Sequence, residues 1–241
     1  TPDHLSALGY KRDTTPHLKT LVRESLIAKN AYSTSDKTVA ALVSLLTGKY
    51  PTETKVVQYP DILENEASYE HLPGMLRQLG YASTMIGIRK FVDAYDLNLR
   101  SGFNQSNGRP ATKMIVPRWQ STLEYYFLSE SLERLLLRMG YVFGLLPSEA
   151  LDAIRPLTFP LSGHDSKEIN QAIDFESDHN QPVFVHLHLL GTHGPLFVPN
   201  RKIFSAELRQ SQQNMTEFYD DSIAGADAEI ERLLQFLRDL G

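Results

Sequence analysis

The chain has 241 residues, a net charge of -5 and a hydrophobic content of 41%, which suffice for a large buried core in one large or two small domains. Its 24 basic residues are scattered, so we expect no nucleic-acid partner. The absence of cysteine excludes disulfides, thiolate metal sites and a cysteine nucleophile.

Helices and strands are predicted in alternation from the start of the chain. Thr15-Pro16 opens a helix to about Glu24, and Ser25 to Tyr32 has the pattern of a short strand. A second helix begins between Asp36 and Val39 and ends near Thr47, where Gly48 suits a left-handed C-terminal cap. Further predicted elements are a helix over Leu72–Leu79 ended by Gly80, a strand over Tyr81–Ile88, a turn-rich loop from Gly102 to Pro110, a helix over Glu168–Glu176, a central parallel strand over Val183–Leu190 and a long helix over Thr216–Leu240.

Residues 111–160 are predicted to form a helical insertion. Apolar residues recur at helical spacing between Thr122 and Leu137, and a second apolar patch covers Tyr141 to Leu146. This pattern fits a core helix with its cap, and it also fits an interfacial or partner-binding segment.

The start of the second helix carries Ser35, Asp36 and Thr38, side chains that can perform chemistry. The first backbone N–H groups of a helix and the positive end of its dipole favour an anionic ligand. A hydroxyl group placed there can act as a nucleophile, but capping the helix is the commoner use of these residue types. The local pattern leaves both interpretations open.

Several runs of sequence resemble the N-terminal part of sulfatase-type members of the alkaline phosphatase superfamily. They are D-H-L-S-A-L-G-Y from Asp3, T-T-P-H-L-K-T-L from Thr14, N-A-Y-S from Asn30 and L-L-T-G-K-Y-P-T-E from Leu45. The resemblance implies an α/β, alkaline-phosphatase-like three-layer sandwich with a mostly parallel central sheet, incomplete at both ends. It treats residues 1–241 as one segment of a catalytic domain.

The same resemblance identifies Thr38 as the nucleophile and as a metal ligand, because the family places its nucleophile ten residues before the glycine of L-T-G. True sulfatases have Cys or Ser at that position, followed by Pro-Ser-Arg, and mature it to formylglycine. Here Val39, Ala40 and Ala41 follow, so that maturation is not expected. A threonine nucleophile is similar to the phosphoethanolamine and phosphoglycerol transferases and the phosphatases of the superfamily.

His193 is the second catalytic residue that the resemblance implies. The run L-H-L-L-G-T-H-G-P ends the predicted central strand and resembles the family's H-G-P motif, whose histidine reaches the substrate or leaving-group oxygen. A loop histidine bonded to the backbone is the alternative. His186 and His188, which alternate with apolar residues on the strand, are expected to be satisfied core histidines.

Arg89 and Lys90 are candidates for binding the anionic substrate. They follow a block from Leu72 to Gly87 that resembles the second sulfatase block, and they stand where sulfatases have the Lys and His that hold the sulfate. The alternative for each is a solvated loop charge.

The resemblance as a whole implies a metal-dependent hydrolase or transferase acting on small-molecule or lipid/glycan phosphate or sulfate esters. A catalytically inactive sulfatase-like binding or assembly module is the alternative. The divalent metal (Ca, Mg, Mn or Zn) would have most of its ligands outside this chain, since neither the metal-binding aspartate of the family's first strand nor its S-D-H-G motif is found. Asp3 and His4 belong to the D-H-L motif and are not expected to be ligands.

Membrane insertion of the chain itself is not predicted, because no apolar run approaches the ~20 residues that span a bilayer. A leader or membrane anchor could precede Thr1. A periplasmic, extracytoplasmic or membrane-associated location is favoured.

Overall fold

The computed structural model describes residues 2–28, 30–58, 61–89, 92–110 and 164–240, with the single positions 132, 135, 136, 139 and 143. The chain divides into two compact units, a terminal unit of Thr1–Ser33 and Thr158–Gly241 and a middle unit of Thr34–Leu157. The predicted insertion at 111–160 lies almost entirely outside the described residues, so it stays a prediction, as does the single catalytic domain over 1–241.

The structure contains both helices and strands, and most of them lie where the sequence predicts. The helices are α1 (Pro16–Arg23), α2 (Thr38–Thr47), α3 (Pro51–Thr54), α4 (Leu72–Gln78), α5 (His164–Ser177) and α6 (Met215–Leu240). The strands are β1 (Ala82–Ile86), β2 (Gln105–Ser106), β3 (Arg109–Pro110) and β4 (Val183–Leu187). Four short 3-10 helices accompany them, at Pro2–His4, Ser6–Leu8, Asn65–Ser68 and Arg100–Gly102.

The helix ends of the middle unit follow from local sequence. Helix α2 buries Val39, Val43 and Leu46, whereas Leu45 of the predicted apolar set remains 70% exposed. Gly48 ends α2 with φ of 69°, and Gly80 follows α4 with φ of 91°. Because this left-handed conformation suits glycine, both predicted helix stops are confirmed.

The predicted strand over Ser25–Tyr32 is wrong. Residues 25–28 and 30–32 are irregular and solvent-exposed, and Leu26 is fully exposed. A strand needs a neighbouring strand to pair its backbone N–H and C=O groups. The apolar side chains of this segment are not buried within the described residues.

A parallel strand pair and a hairpin form the sheet of the middle unit. All five residues of β1 are buried, and β1 pairs in parallel with β2, with Thr84 opposite Gln105. Strand β2 then pairs with β3 across Asn107-Gly108, whose φ angles of 51° and 73° are both positive. Asn-Gly is the preferred sequence for a two-residue hairpin turn of this kind. The loop predicted over Gly102–Pro110 is therefore a hairpin.

Asp93 joins this hairpin to the segment before it. Its carboxylate is fully buried and pairs with the Arg109 guanidinium at 2.5 Å. Burial alone would raise the pKa of Asp93, but Arg109 opposes that effect and the pKa lies below its ordinary value. The other donors to this carboxylate are the backbone N–H groups of Tyr95 and Asp96 and the side chains of Ser106 and Asn107.

Three buried aspartates on α6 organise the terminal unit. Asp227 accepts the backbone N–H groups of His17 and Leu18, both at 3.0 Å, and so caps the first turn of α1. Asp220 accepts hydrogen bonds from the side chains of His4, Tyr10 and Arg12, and Asp221 accepts those from the backbone of Ile203, Phe204 and Ser205. Each aspartate thus ties a different chain segment to α6.

The helices in the described part of the chain contain no span both long and apolar enough to cross a bilayer.

Candidate active site

Thr38 is the first residue of α2, in the middle unit, and its side chain is half-buried. Lys37 occupies the N-cap position, and among the described residues no side chain caps the helix there. The Ser35 hydroxyl instead accepts the N–H of Lys37, at 3.0 Å, in the turn before the helix. The capping interpretation is therefore wrong for Ser35, Asp36 and Thr38. The N–H groups of the first turn of α2 are left without a side-chain acceptor in the described structure.

Arg89, the first candidate for anion binding, lies just after β1 and forms an ion pair with Asp96. Its Nε is 3.1 Å from Asp96 Oδ2, and its side chain is 12% exposed. Burial and the nearby Asp93 raise the pKa of Asp96, while Arg89 opposes the rise. The alternative of a solvated loop charge is thus wrong for Arg89. Lys90 lies outside the described residues, and substrate binding stays a prediction for both.

His193 lies in the terminal unit, in the exposed loop after β4. Its backbone N–H donates to the carbonyl of Leu190 at 2.9 Å, which closes a turn. Its ring Nδ1 is 2.7 Å from the carbonyl oxygen of Gly194. Because a carbonyl can only accept, this contact requires a proton on Nδ1, and in the neutral ring Nε2 then carries the lone pair. A neutral ring held in this tautomer can accept a proton on Nε2 and, once protonated there, can donate it.

His186 and His188 lie on β4 or directly after it and are half-buried, with ring centroids 6.3 Å apart. Burial, and then proximity to His188, lowers the pKa of His186 to about 4. Burial and proximity to His193 also lower the pKa of His188. Both rings are therefore neutral near pH 7, as core histidines should be. His186 Nε2 is buried with no hydrogen-bonding partner among the described residues, so the expectation that this ring is satisfied is wrong.

The loop that carries His193 is anchored on both sides by side chains from other segments. Asp165, in the first turn of α5, accepts the backbone N–H groups of Leu190 and Gly191 at 3.1 and 2.8 Å. Gln210 accepts the N–H of Phe197 and donates to the carbonyl of Pro195, both at 2.7 Å. Neither anchor is predicted from the sequence, since no periodic pattern or motif marks Asp165 or Gln210.

The family model described as Sulfatase matches residues 2–241. The chain belongs to the sulfatase family. This match confirms the resemblance that the motifs at Asp3, Thr14 and Leu45 indicated. A comparison with curated proteins gives no match.

A solved structure similar to this sulfatase-family chain is the phosphonate monoester hydrolase of Agrobacterium radiobacter. The two match with a TM-score of 0.60 at 16% identity, over 100% of this chain and 57% of the hydrolase. The likeness confirms the predicted α/β, alkaline-phosphatase-like fold. The chain spans little more than half the length of that hydrolase.

A complete metal centre cannot be assembled from the described residues of this sulfatase-family chain. They contain no group of three or more His, Asp or Glu side chains that could share an ion. The Thr38 hydroxyl alone is too weak a donor set for a divalent cation, which takes several oxygen or nitrogen ligands. Thr38 as a metal ligand and the identity of the metal therefore stay predictions.

Proposed function

We propose that this protein is a hydrolase or transferase of phosphate or sulfate esters that uses Thr38 as its nucleophile. The observation that carries the proposal is the position of Thr38 at the uncapped start of α2, within a chain matched along nearly its whole length by the sulfatase family. A Ser, Thr, Asp or Asn side chain at the N-cap position commonly accepts a hydrogen bond from one of the first-turn N–H groups. Here those donors are available to the oxygens of a tetrahedral anion.

The proposed reaction begins with attack of Thr38 Oγ1 on the phosphorus or sulfur of the ester. A bond from Thr38 Oγ1 to that centre forms, the bond to the leaving-group oxygen breaks, and the proton of the threonine hydroxyl passes to solvent. Negative charge builds on the equatorial oxygens, where the N–H groups of the first turn of α2 stabilise it. Water then releases the group in a hydrolase, whereas an acceptor alcohol releases it in a transferase.

His193 is proposed to protonate the leaving-group oxygen. The hydrogen bond from its Nδ1 to Gly194 leaves Nε2 facing substrate, and the form that acts is the ring with a proton on both nitrogens, which gives up the Nε2 proton and returns to the neutral Nδ1–H form. The ring is exposed, so substrate can reach it. Arg89 and Lys90 remain proposed contributors to binding the anionic group.

Lipid or glycan esters, a membrane anchor, and a periplasmic or other extracytoplasmic location also belong to the proposal. A divalent metal is proposed on the basis of family membership alone. The competing function is an inactive sulfatase-like binding or assembly module.

Turnover of aryl phosphate and aryl sulfate by the full-length protein, with and without Mg²⁺, Mn²⁺, Ca²⁺ or Zn²⁺, separates the two functions. We expect Thr38→Ala to lower kcat by about a thousandfold or more, because removal of a covalent nucleophile is among the most damaging changes to an enzyme. Thr38→Ser should retain activity, because serine supplies the same hydroxyl, and rapid quenching of the wild type during turnover should yield a phosphorylated or sulfated Thr38 detectable by mass spectrometry.

Thr47→Ala is the matched control, since Thr47 lies at the other end of α2, where its hydroxyl donates to the carbonyl of Val43 and accepts the N–H of Lys49. This variant should keep the wild-type rate. An active wild-type protein whose rate is unchanged by Thr38→Ala would overturn the nucleophile assignment. No turnover of either ester with any metal would favour the binding module.

A further inference from the structure

Asp165 is the residue on which the turn before His193 depends. Its Oδ1 accepts the N–H groups of two successive residues, Leu190 at 3.1 Å and Gly191 at 2.8 Å. The carbonyl of Leu190 in turn accepts the N–H of His193 at 2.9 Å. One carboxylate oxygen of α5 therefore holds the peptide group between Leu190 and Gly191. The carbonyl of that peptide group in turn fixes the position of the His193 backbone N–H.

The Asp165 carboxylate lies so close to the loop that only glycine fits at position 191. A Cβ atom on residue 191 would lie 2.2 Å from Asp165 Oδ2 and 2.8 Å from its Cγ, and the three nearest atoms to that Cβ all belong to Asp165. Backbone conformation does not require glycine here, because Gly191 is not among the residues with positive φ. The close carboxylate alone excludes a side chain.

We infer that Asp165 is a positioning residue for His193, through the two N–H bonds by which it fixes the turn from Leu190 to His193. The inference rests on the proposed role of His193. With the turn fixed, the imidazole keeps its Nδ1–H on the Gly194 carbonyl and presents Nε2 to substrate. The direction of this exposed ring depends on the backbone that carries it and on the hydrogen bond to Gly194.

Gln210 shows that the opposite side of the loop is held independently. Its amide bridges Pro195 and Phe197, both after His193, so it can keep the loop in place when Asp165 is changed. Loss of the Asp165 carboxylate should therefore loosen the His193 turn without unfolding the rest of the loop. This separation makes a test by substitution informative.

The test compares Asp165→Ala and Asp165→Asn in the full-length protein, with Asp174→Ala, an exposed position on the same helix, as the control. Nitrogen NMR of the His193 ring, assigned with His193→Gln, reports the tautomer. Wild type and control should show the Nδ1–H form, whereas Asp165→Ala should show a mixture of tautomers. Asp165→Asn should largely restore the wild-type signal, because its amide oxygen can still accept both N–H groups.

Activity supplies the second measurement. Asp165→Ala should lower kcat by about tenfold or more with little change in KM, since leaving-group protonation occurs in the transition state. An unchanged tautomer in Asp165→Ala overturns the inference, whatever the rates are. If the wild type turns over neither ester, the proposed function fails, and the tautomer still decides whether Asp165 positions His193.

A double-mutant cycle tests the contact itself. Gly191→Ala should disturb the His193 signal and lower kcat because its new methyl group collides with Asp165. In the Asp165→Ala background the collision is absent, so the same glycine change should have at least fivefold less effect. Effects that simply multiply would show that the two residues do not act through this contact.

Discussion

Glu168 provides a test of the electrostatics around α5. Its side chain is 5% exposed, and Oε2 is buried with no hydrogen-bonding partner among the described residues. Burial, and then the neighbouring Asp165, raises the pKa of Glu168 from 4.5 to about 7, while Lys167 opposes the rise. We expect Glu168→Gln to stabilise the protein above pH 7, because the amide keeps the shape of the side chain and cannot ionise.

The magnitude follows from the difference between the folded and unfolded pKa values, which corresponds to about 3 kcal/mol. Below pH 4.5 the carboxyl group is protonated in both states, so wild type and variant should have similar free energies of unfolding. Between pH 4.5 and 7 the folded protein keeps a proton that the unfolded chain releases, so wild-type stability falls as pH rises. Above pH 7 the full penalty is present, and Glu168→Gln should be more stable by about 2–3 kcal/mol.

Urea unfolding of both proteins at several values between pH 5 and pH 8 measures this difference. Other ionisable groups affect both proteins alike and largely cancel. Asp174→Asn, which also removes one negative charge from α5 but at an exposed position, should change stability by less than about 0.5 kcal/mol at every pH. A stability difference that does not grow with pH would refute the argument that Glu168 is buried with a raised pKa.

Other substitutions test the packing of each unit by urea unfolding. Asp227→Ala should lower the free energy of unfolding by about 2–4 kcal/mol, because two N–H groups of α1 lose their acceptor. A decrease below about 1 kcal/mol would contradict the capping role. Gly48→Ala should lower the free energy of unfolding by only about 1 kcal/mol, because a Cβ there meets no atom within 4 Å and only the left-handed backbone disfavours alanine. Gly48→Asn should lower it by less, because asparagine tolerates that conformation better. Asp93→Ala should destabilise by about 3–5 kcal/mol, since it leaves Arg109 and four other donors without their shared acceptor, and a near-neutral result would argue against that network.

Local patterns predicted the elements whose ends depend on one or two residues. The start of α2 near Thr38 and its stop at Gly48 follow from a 3.6-residue apolar period and a left-handed glycine, both of which can be read from sequence. The prediction of a strand over Ser25–Tyr32 was wrong because β-rich composition does not specify a neighbouring strand to pair with. The motifs gave the family and the fold, since these depend on spacing along the chain rather than on contacts.

The anchors of the His193 loop could not be predicted in this way. Asp165 contacts residues 25 and 26 positions further along the chain, and Asp227 contacts residues about 210 positions away. The sequence contains 29 acidic residues, and no local feature separates these buried acceptors from aspartates at the surface. Only the folded backbone determines which N–H groups come within reach of each carboxylate.

The long-range contacts of α6 also explain a motif that carries no proposed chemistry. The motif is D-H-L-S-A-L-G-Y near the N-terminus, and Asp220 of α6 accepts hydrogen bonds from its His4 and Tyr10 at 2.6 and 2.9 Å. Its neighbour Asp221 holds residues 203–205, the segment that leads to Gln210 and so to the His193 loop. Successive residues on a helix point about 100° apart, so one short acidic pair can fasten two separate segments to one helix. Packing against α6 thus accounts for the first motif, whereas a chemical role is proposed for Thr38 and His193.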